Sequence, residues 1–124
     1  MITEDYVSFE TAKLLKEKGF NYPCRVVYSP KGVVKHYLKE EAYAHHLKGH
    51  KKLCPTLQMA MKWLREVHNI VINIGWGEIL EDRFQWWCII LNLKDGSILR
   101  ESEYYATYEE ACEAAIKYCL ENLI

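Results

Sequence analysis

The chain has 124 residues, of which 50% are hydrophobic and 27% charged, and its formal net charge at pH 7 is −1. This length suits one globular domain with its own core, and the composition excludes an intrinsically disordered protein. No apolar run approaches the roughly 18 residues that span a bilayer, and the acidic start Met1–Asp5 does not resemble a signal peptide. We therefore expect a cytoplasmic protein that does not enter a membrane.

The first predicted helix begins after Ser8, which serves as its N-cap, and ends at Gly19. Glycine readily adopts the left-handed conformation that closes a helix. Phe20 is then placed to fold back onto Leu15. The sequence therefore marks both ends of a short helix.

Two strand-like runs follow this helix, at residues 24–28 and 33–38. Residues 29–32 contain proline and glycine at positions that a type I turn favours, so the two runs predict a hairpin. Residues 39–53 have short, interrupted helical periodicity, with Gly49 inside it. We interpret them as a variable connector.

The segment from Pro55 to His68 predicts a second helix, because proline suits the first helical position. A strand, Ile70 to Ile74, follows at once, and a loop from Gly75 to Asp82 follows the strand. The apolar stripe of the helix, at helical spacing, consists of Leu57, Ala60, Met61, Leu64 and Val67.

The run from Phe84 to Leu93 is continuously apolar and aromatic, which predicts a central strand covered on both faces. A turn at residues 94–97 leads into a further strand, Ile98 to Tyr105, because Asp-Gly favours a tight hairpin. Thr107 and Glu110 form the capping box of a last helix. The predicted buried face of that helix is Ala111, Cys112, Ala115, Ile116, Cys119, Leu120 and Leu123.

These elements predict an α+β fold in which helices pack on a small, mostly antiparallel sheet. The order is α-β-β, connector, α-β-β-β-α. We assign residues 1–124 to a single domain made of an N-terminal α-β-β part (1–38), the connector (39–53) and an α-β-β-β-α part (54–124).

Three stretches, SFETAKLLKEKGF, PTLQMAMKWLREVHNI and TYEEACEAAIKY, resemble a large group of small uncharacterised proteins from gut anaerobe genomes, their prophages and mobile elements. The resemblance covers most of the chain outside residues 39–53. It implies a cytosolic α+β accessory protein of a phage or mobile element. It implies no activity and no functional residue.

The five cysteines are an odd number and include no CxxC pair. Three of them lie in apolar helix or strand patterns, where a thiol packs as a small hydrophobic side chain. The pattern favours buried free thiols over a disulfide or redox role. The cysteines are Cys24, Cys54, Cys88, Cys112 and Cys119.

The richest cluster of metal-ligating residues contains four histidines and one cysteine. His46, His50 and Cys54 are spaced by four and would share one face of a helix, a ligand set that zinc accepts. Gly49 and Pro55 oppose that helix, and no second closely spaced pair completes the site. We therefore expect neither a metal nor another cofactor. The cluster consists of His36, His45, His46, His50 and Cys54.

Cys54 is also the best candidate nucleophile, because a helix N-terminus and nearby basic residues lower the pKa of a thiol. A catalytic cysteine needs a base that a third group orients, and no sequence feature places one. The sequence favours a non-enzymatic protein without an evident small-molecule ligand.

Aromatic residues are concentrated around the predicted central strand, where they could stack on the bases of single-stranded nucleic acid. Both faces of that strand are apolar, however, and one core does not easily bury both. We expect a protein partner to cover the surplus, most simply a second copy in a homodimer. The first helix and the N-terminal hairpin are the alternative cover within a monomer. The predicted interface residues are Trp63, Trp76, Phe84, Trp86 and Trp87.

Charge is unevenly distributed: residues 31–52 carry +4, and residues 101–124 carry −5. The alternative function is therefore nucleic-acid binding through the basic segment. The α-β-β-β-α order of residues 55–124 resembles double-stranded-RNA-binding domains, whose last helix begins with lysines that contact phosphates. Glu109 and Glu110 reverse that charge here, so we do not expect specific nucleic-acid binding. The predicted basic patch is Lys31, Lys35, Lys39, Lys48, Lys51 and Lys52.

Overall fold

The computed structural model describes residues 2–37 and 52–124 and has the predicted α+β fold. These residues form three helices and two three-stranded antiparallel sheets. A bilayer-spanning helix would need more length and a more apolar surface than any helix within these ranges has. In chain order the elements are α1 (Phe9–Glu17), β1 (Val26–Tyr28), β2 (Val34–His36), β3 (Lys52–Leu53), α2 (Leu57–His68), β4 (Ile70–Leu80), β5 (Arg83–Asn92), β6 (Ile98–Glu101) and α3 (Tyr108–Asn122).

The chain divides into two compact units, which we call the N-terminal unit (Met1–Met59) and the C-terminal unit (Ala60–Ile124). The assignment of residues 1–124 to one domain stays a prediction. The two units differ in charge. The N-terminal unit has ten Lys and Arg against six Asp and Glu, a net charge of +4, and the C-terminal unit has six against eleven, a net charge of −5.

α1 begins and ends where the sequence predicts. The Ser8 Oγ accepts a hydrogen bond from the Thr11 N–H at 3.2 Å, which satisfies one of the donors that a helix leaves unpaired at its start. At the other end, Gly19 has a φ of +92°, and the Phe20 N–H donates to the Leu15 carbonyl oxygen at 2.9 Å. Phe20 is only 5% exposed, so the chain folds back over the helix end as predicted.

The predicted hairpin forms in the N-terminal unit, between β1 and β2. The Gly32 N–H donates to the Ser29 carbonyl oxygen at 2.9 Å, and Gly32 has a φ of +82°, which glycine adopts without strain. Both strands have three residues and are shorter than the predicted runs 24–28 and 33–38. Leu38 lies outside the described residues.

The end of the predicted connector 39–53 is a strand, which corrects that prediction. β3 pairs with β1, with Leu53 opposite Val27, so the sheet order is β2-β1-β3. The Val7 N–H also donates to the Pro55 carbonyl oxygen at 3.1 Å, which ties this stretch to the chain start. Local periodicity does not reveal such a ladder, because pairing with a strand distant in sequence defines it.

α2 begins at Leu57 instead of Pro55. Thr56 is its N-cap, because the Thr56 Oγ1 accepts a hydrogen bond from the N–H of the third helical residue at 3.1 Å. Four of the five residues of the predicted apolar stripe are buried, but Val67 is 45% exposed. Asn69 follows the helix with a φ of +58°, a conformation that asparagine tolerates better than most residues.

β5 is the central strand of the second sheet, as predicted, and the order is β4-β5-β6. The predicted loop 75–82 is mostly strand, which corrects the prediction. Gly75 and Gly77 continue the ladder, and the chain reverses only at Glu81–Asp82. The physical reason is the residue opposite Gly75, because the indole of Trp87 fills the space that a side chain would need.

β6 is shorter than the predicted strand 98–105. The Ser102 Oγ accepts the hydrogen bond of the Cys88 N–H at 2.8 Å, in place of a backbone carbonyl, and the regular ladder ends there. The chain pairs with β5 again at Tyr105, which forms an isolated bridge with Trp86.

α3 packs against β5 and β4. It begins as predicted after Thr107, whose Oγ1 accepts a hydrogen bond from the Glu110 N–H at 3.1 Å. Leu123 is only half-buried, whereas the rest of the predicted face is buried. The buried residues of α3 are Ala111, Cys112, Ala115, Ile116, Cys119 and Leu120. All five cysteines of the chain are free thiols with buried side chains, also as predicted.

Candidate interaction surface

The hairpin of β4 and β5 brings three of the predicted interface residues onto one face of the sheet. Trp76 lies opposite Trp86, and Glu78 lies opposite Phe84. Side chains alternate between the two faces of a strand, so Trp76, Phe84 and Trp86 point to the same side. We call these three residues the aromatic surface.

Two members of the aromatic surface form an exposed stack. The rings of Trp76 and Phe84 have centroids 5.0 Å apart and planes inclined by 17°. Trp76 remains 55% exposed and Phe84 49% exposed, although stacking covers part of each ring. Apolar side chains of this size, grouped and exposed, are typical of contact surfaces.

Trp86 lies at the covered end of the aromatic surface. Its ring is 6.2 Å from Trp76 and 5.4 Å from Tyr108, the first residue of α3, with an edge-to-face angle of 79° to the tyrosine. The three rings therefore run from the start of α3 toward the turn of the hairpin at Glu81–Asp82.

Trp87 points to the opposite face of the sheet. Its indole lies against Gly75 and Gly77 of β4, and its ring meets Tyr104 edge to face with centroids 6.1 Å apart. The strand is thus apolar on both faces, as the sequence predicts. The sequence predicts a loop at these two glycines, because glycine is typical of turns. A Gly-x-Gly pattern is equally consistent with a strand whose backbone lies close to a large side chain of the next strand.

Trp63 does not belong with the other predicted interface residues. Only 5% of its surface is exposed, and its ring meets His68 edge to face at 4.7 Å. Trp63, predicted as an interface residue, is therefore a buried side chain, whereas Val67 of the predicted apolar stripe is exposed. Single-helix periodicity could not separate these two positions, because both follow from tertiary packing.

The described lysines of the predicted basic patch do not converge on one face. Lys35 pairs with Val27, and Lys52 pairs with Tyr28, the next residue of β1. Successive strand residues point to opposite faces, so the register places these two lysines on opposite sides of the sheet. The Lys52 Nζ lies 5.6 Å from the centre of the Phe9 ring. Lys31 lies in the exposed hairpin turn, and Lys39, Lys48 and Lys51 lie outside the described residues.

The His and Cys cluster can be placed only in part. His36 is exposed in β2 and meets Tyr6 edge to face at 6.1 Å. Cys54 is buried, and its Sγ donates to the Val7 carbonyl oxygen at 3.5 Å. Across residues 2–37 and 52–124, no three His, Cys, Asp or Glu residues are grouped to hold a metal ion. His45, His46 and His50 lie outside the described residues.

The buried thiols of the C-terminal unit are held in their protonated form. Burial raises the pKa of Cys112 to about 11 and the pKa of Cys119 to about 12, and it also raises the pKa of Cys88. Cys88 lines a cleft of about 230 Å³ together with Arg100 and Ser102. A nucleophilic cysteine needs a lowered pKa, so these thiols are poor nucleophiles at neutral pH.

Comparison of the chain with protein-family models, curated proteins and solved structures finds no match.

Proposed function

We propose that this protein is a small, non-enzymatic protein-interaction module that self-associates through the aromatic surface. The observation that carries the proposal is the exposed stack of Trp76 on Phe84. Water contact with two large rings is unfavourable by about 25 cal/mol for each Å² of apolar surface, so covering them stabilises a complex. The raised pKa values of Cys88, Cys112 and Cys119 make these three thiols poor nucleophiles, which fits a non-catalytic role for the C-terminal unit.

A second copy is the partner that the hairpin favours. Within the described residues β4 pairs with β5 alone, so the other edge of this 11-residue strand presents backbone donors and acceptors. Two such edges pair antiparallel around a two-fold axis, which makes the interface self-complementary. Trp76 lies on β4, so the pairing would bring the two aromatic surfaces onto one continuous face.

Charges at the end of the hairpin do not contribute to this arrangement. Glu81 and Asp82 lie in the turn, and Arg83 follows them directly. Antiparallel pairing of the two β4 edges places the turn of one copy beside the start of β4 in the other, so the charged turns lie at opposite ends of the paired strands. The rings therefore supply most of the stabilisation in this proposal.

We propose a cytoplasmic setting as an accessory protein of a phage or mobile element, on the basis of the sequence resemblance alone. A tagged chain expressed in a gut anaerobe that carries such elements tests this setting. We expect recovery of an untagged copy of the chain and of a protein encoded beside it. Recovery of neither would contradict the setting.

Dilution of ¹⁵N-labelled protein, followed through the tryptophan indole signals, tests the self-association. We expect the Trp76 signal to move between about 1 mM and about 10 μM, the range in which weak dimers dissociate. The Trp63 signal is the internal control, because Trp63 is 5% exposed and should not move. An unchanged Trp76 signal would contradict the proposal.

Nucleic-acid binding is the alternative that the same sample tests. The described lysines Lys35 and Lys52 do not share a face, so we expect only weak, salt-sensitive attraction to the basic segment. Submicromolar binding to DNA or RNA at physiological salt, measured by fluorescence anisotropy, would favour the alternative.

A further inference from the structure

The face of the sheet opposite the aromatic surface carries a cleft of about 300 Å³. It lies in the C-terminal unit, where β5 meets the irregular segment after β6. This volume is at the lower end of the range for small-molecule sites, which is roughly 300–1,000 Å³. The residues that line it are Glu78, Ile79, Trp87, Ile89, Glu101, Ser102 and Tyr104.

Two aromatic rings meet at a right angle in this cleft. The planes of Trp87 and Tyr104 are inclined by 90°, with centroids 6.1 Å apart. Tyr104 is 53% exposed, whereas Trp87 is partly covered. Perpendicular rings form a corner in which a group can contact a π face of each ring, and π faces attract cations.

Two glycines of β4 leave the space that the indole of Trp87 fills. A Cβ atom at Gly75 would lie 2.6 Å from the Trp87 Cζ2 and Nε1 atoms, and one at Gly77 would lie 3.3 Å from Cη2. Any other residue at position 75 would therefore displace the ring. The wall of the cleft is formed before a ligand arrives, which lowers the entropic cost of binding.

The charged residues that line the cleft are both carboxylates. Glu101 lies opposite Ile89 in the ladder and so points to the same face, and it is exposed. Glu78 lies opposite Phe84 in the ladder, so its side chain points to the aromatic surface, where its Oε1 accepts a hydrogen bond from the Asp82 N–H at 3.0 Å. Glu101 is therefore the carboxylate on the same face as the two rings. The C-terminal unit as a whole carries −5, so its field repels anions and attracts cations.

We propose that this cleft binds an organic cation, such as an alkylammonium or guanidinium group, between Trp87 and Tyr104 with Glu101 as the counter-charge. The ring faces interact with the cation, and the carboxylate balances its charge. Free ammonium compounds and the Lys or Arg side chains of a peptide both carry such a cationic group. The two rings lie on the face of the sheet opposite the aromatic surface.

NMR titration of the Trp76→Ala variant with choline tests the site. The indole signal of Trp87, assigned by comparison with Trp87→Phe, is the readout. We expect the Trp87 signal to move when choline is added. The uncharged analogue 3,3-dimethylbutan-1-ol has the same shape without the charge, so it should move the signal only at concentrations about tenfold higher. A titration with acetyl-Gly-Lys-Gly-amide distinguishes the sources, since tighter binding of the peptide indicates a protein partner and tighter binding of choline a free ligand.

Glu101→Gln should weaken choline binding about fivefold or more, whereas Glu103→Gln should not, because Glu103 is an exposed carboxylate that does not line the cleft. Tyr104→Leu provides a second variant, at a side chain exposed enough to leave folding intact. Equal binding of choline and its uncharged analogue would overturn the proposal, and so would a Trp87 signal that stays fixed at about 100 mM choline.

Discussion

At the scale of single residues, the indole of Trp87 occupies the space that a side chain at position 75 would need. Alanine is usually no worse than glycine in a strand, so an open position would tolerate Gly75→Ala. Here the added Cβ overlaps the indole. We expect Gly75→Ala to lower the free energy of unfolding by about 1–3 kcal/mol in urea titrations followed by circular dichroism.

Gly77→Ala is the matched control, because its Cβ would lie 3.3 Å from the same ring and needs only a small shift. Combining Gly75→Ala with Trp87→Leu should recover part of the loss, since the overlap disappears. Equal costs for the two glycine substitutions would contradict this role of Gly75.

The buried thiols make stability depend on pH in the alkaline range. Their ordinary pKa is 9.0, and burial raises the pKa of Cys112 to about 11 and of Cys119 to about 12. Above pH 9 the unfolded chain loses these protons while the folded chain keeps them. The stability that these groups contribute is therefore complete below pH 9 and is lost as the pH rises toward 11 to 12.

We expect the free energy of unfolding to fall by about 1 kcal/mol per pH unit for each thiol above pH 9. Urea titrations between pH 7 and about 10.5 measure this slope. The double variant Cys112→Ala, Cys119→Ala distinguishes the contribution of the thiols to this slope from that of the lysines and tyrosines, which titrate in the same pH range. A slope in the double variant as steep as in the unsubstituted chain would show that the thiols are not responsible.

At the scale of elements, capping side chains determine where the helices begin. Thr107 holds the first turn of α3 through its hydrogen bond to the Glu110 N–H. We expect Thr107→Ala to lower the free energy of unfolding by about 1 kcal/mol. Thr107→Ser should be nearly as stable as the unsubstituted chain, because serine supplies the same hydrogen-bond acceptor. Thermal unfolding measures both, and a serine variant as unstable as the alanine variant would contradict the capping role.

The same local signals explain which elements could be predicted from sequence. Ser8, Gly19 and Thr107 mark helix ends through contacts within a few residues, so pattern and residue type suffice. β3 and the second half of β4 depend on a partner strand distant in sequence. A two-residue strand and a Gly-Trp-Gly run carry too little local pattern to reveal that pairing.

The candidate surface could likewise be predicted only in part. Aromatic alternation along β5 correctly indicates two apolar faces, with Trp86 and Trp87 on opposite sides. The burial of Trp63 and the exposure of Trp76 depend on tertiary neighbours, which the helical and strand periods do not identify. The cleft beside Trp87 combines residues from β4, β5, β6 and the segment after β6, so no single stretch of the sequence predicts it.

At the scale of the whole molecule, the apolar core should support the fold without a metal ion. Buried residues such as Leu15, Ile90 and Ile116 are fully covered by protein. We expect EDTA to leave the melting temperature unchanged. A substantial fall in melting temperature, or stoichiometric zinc in elemental analysis, would instead assign a metal to the cluster that includes His46, His50 and Cys54.

Self-association through the aromatic surface is the central claim, and sedimentation equilibrium tests it most directly. We expect the chain of 14.7 kDa to approach twice that mass at high micromolar concentration. Trp76→Ala should weaken the dimer about tenfold or more, the effect of an interface anchor. Tyr22→Ala should not, although Tyr22 is 49% exposed, the same fraction as Phe84. A monomer mass across the whole concentration range would contradict the claim, as would equal dissociation constants for the two variants.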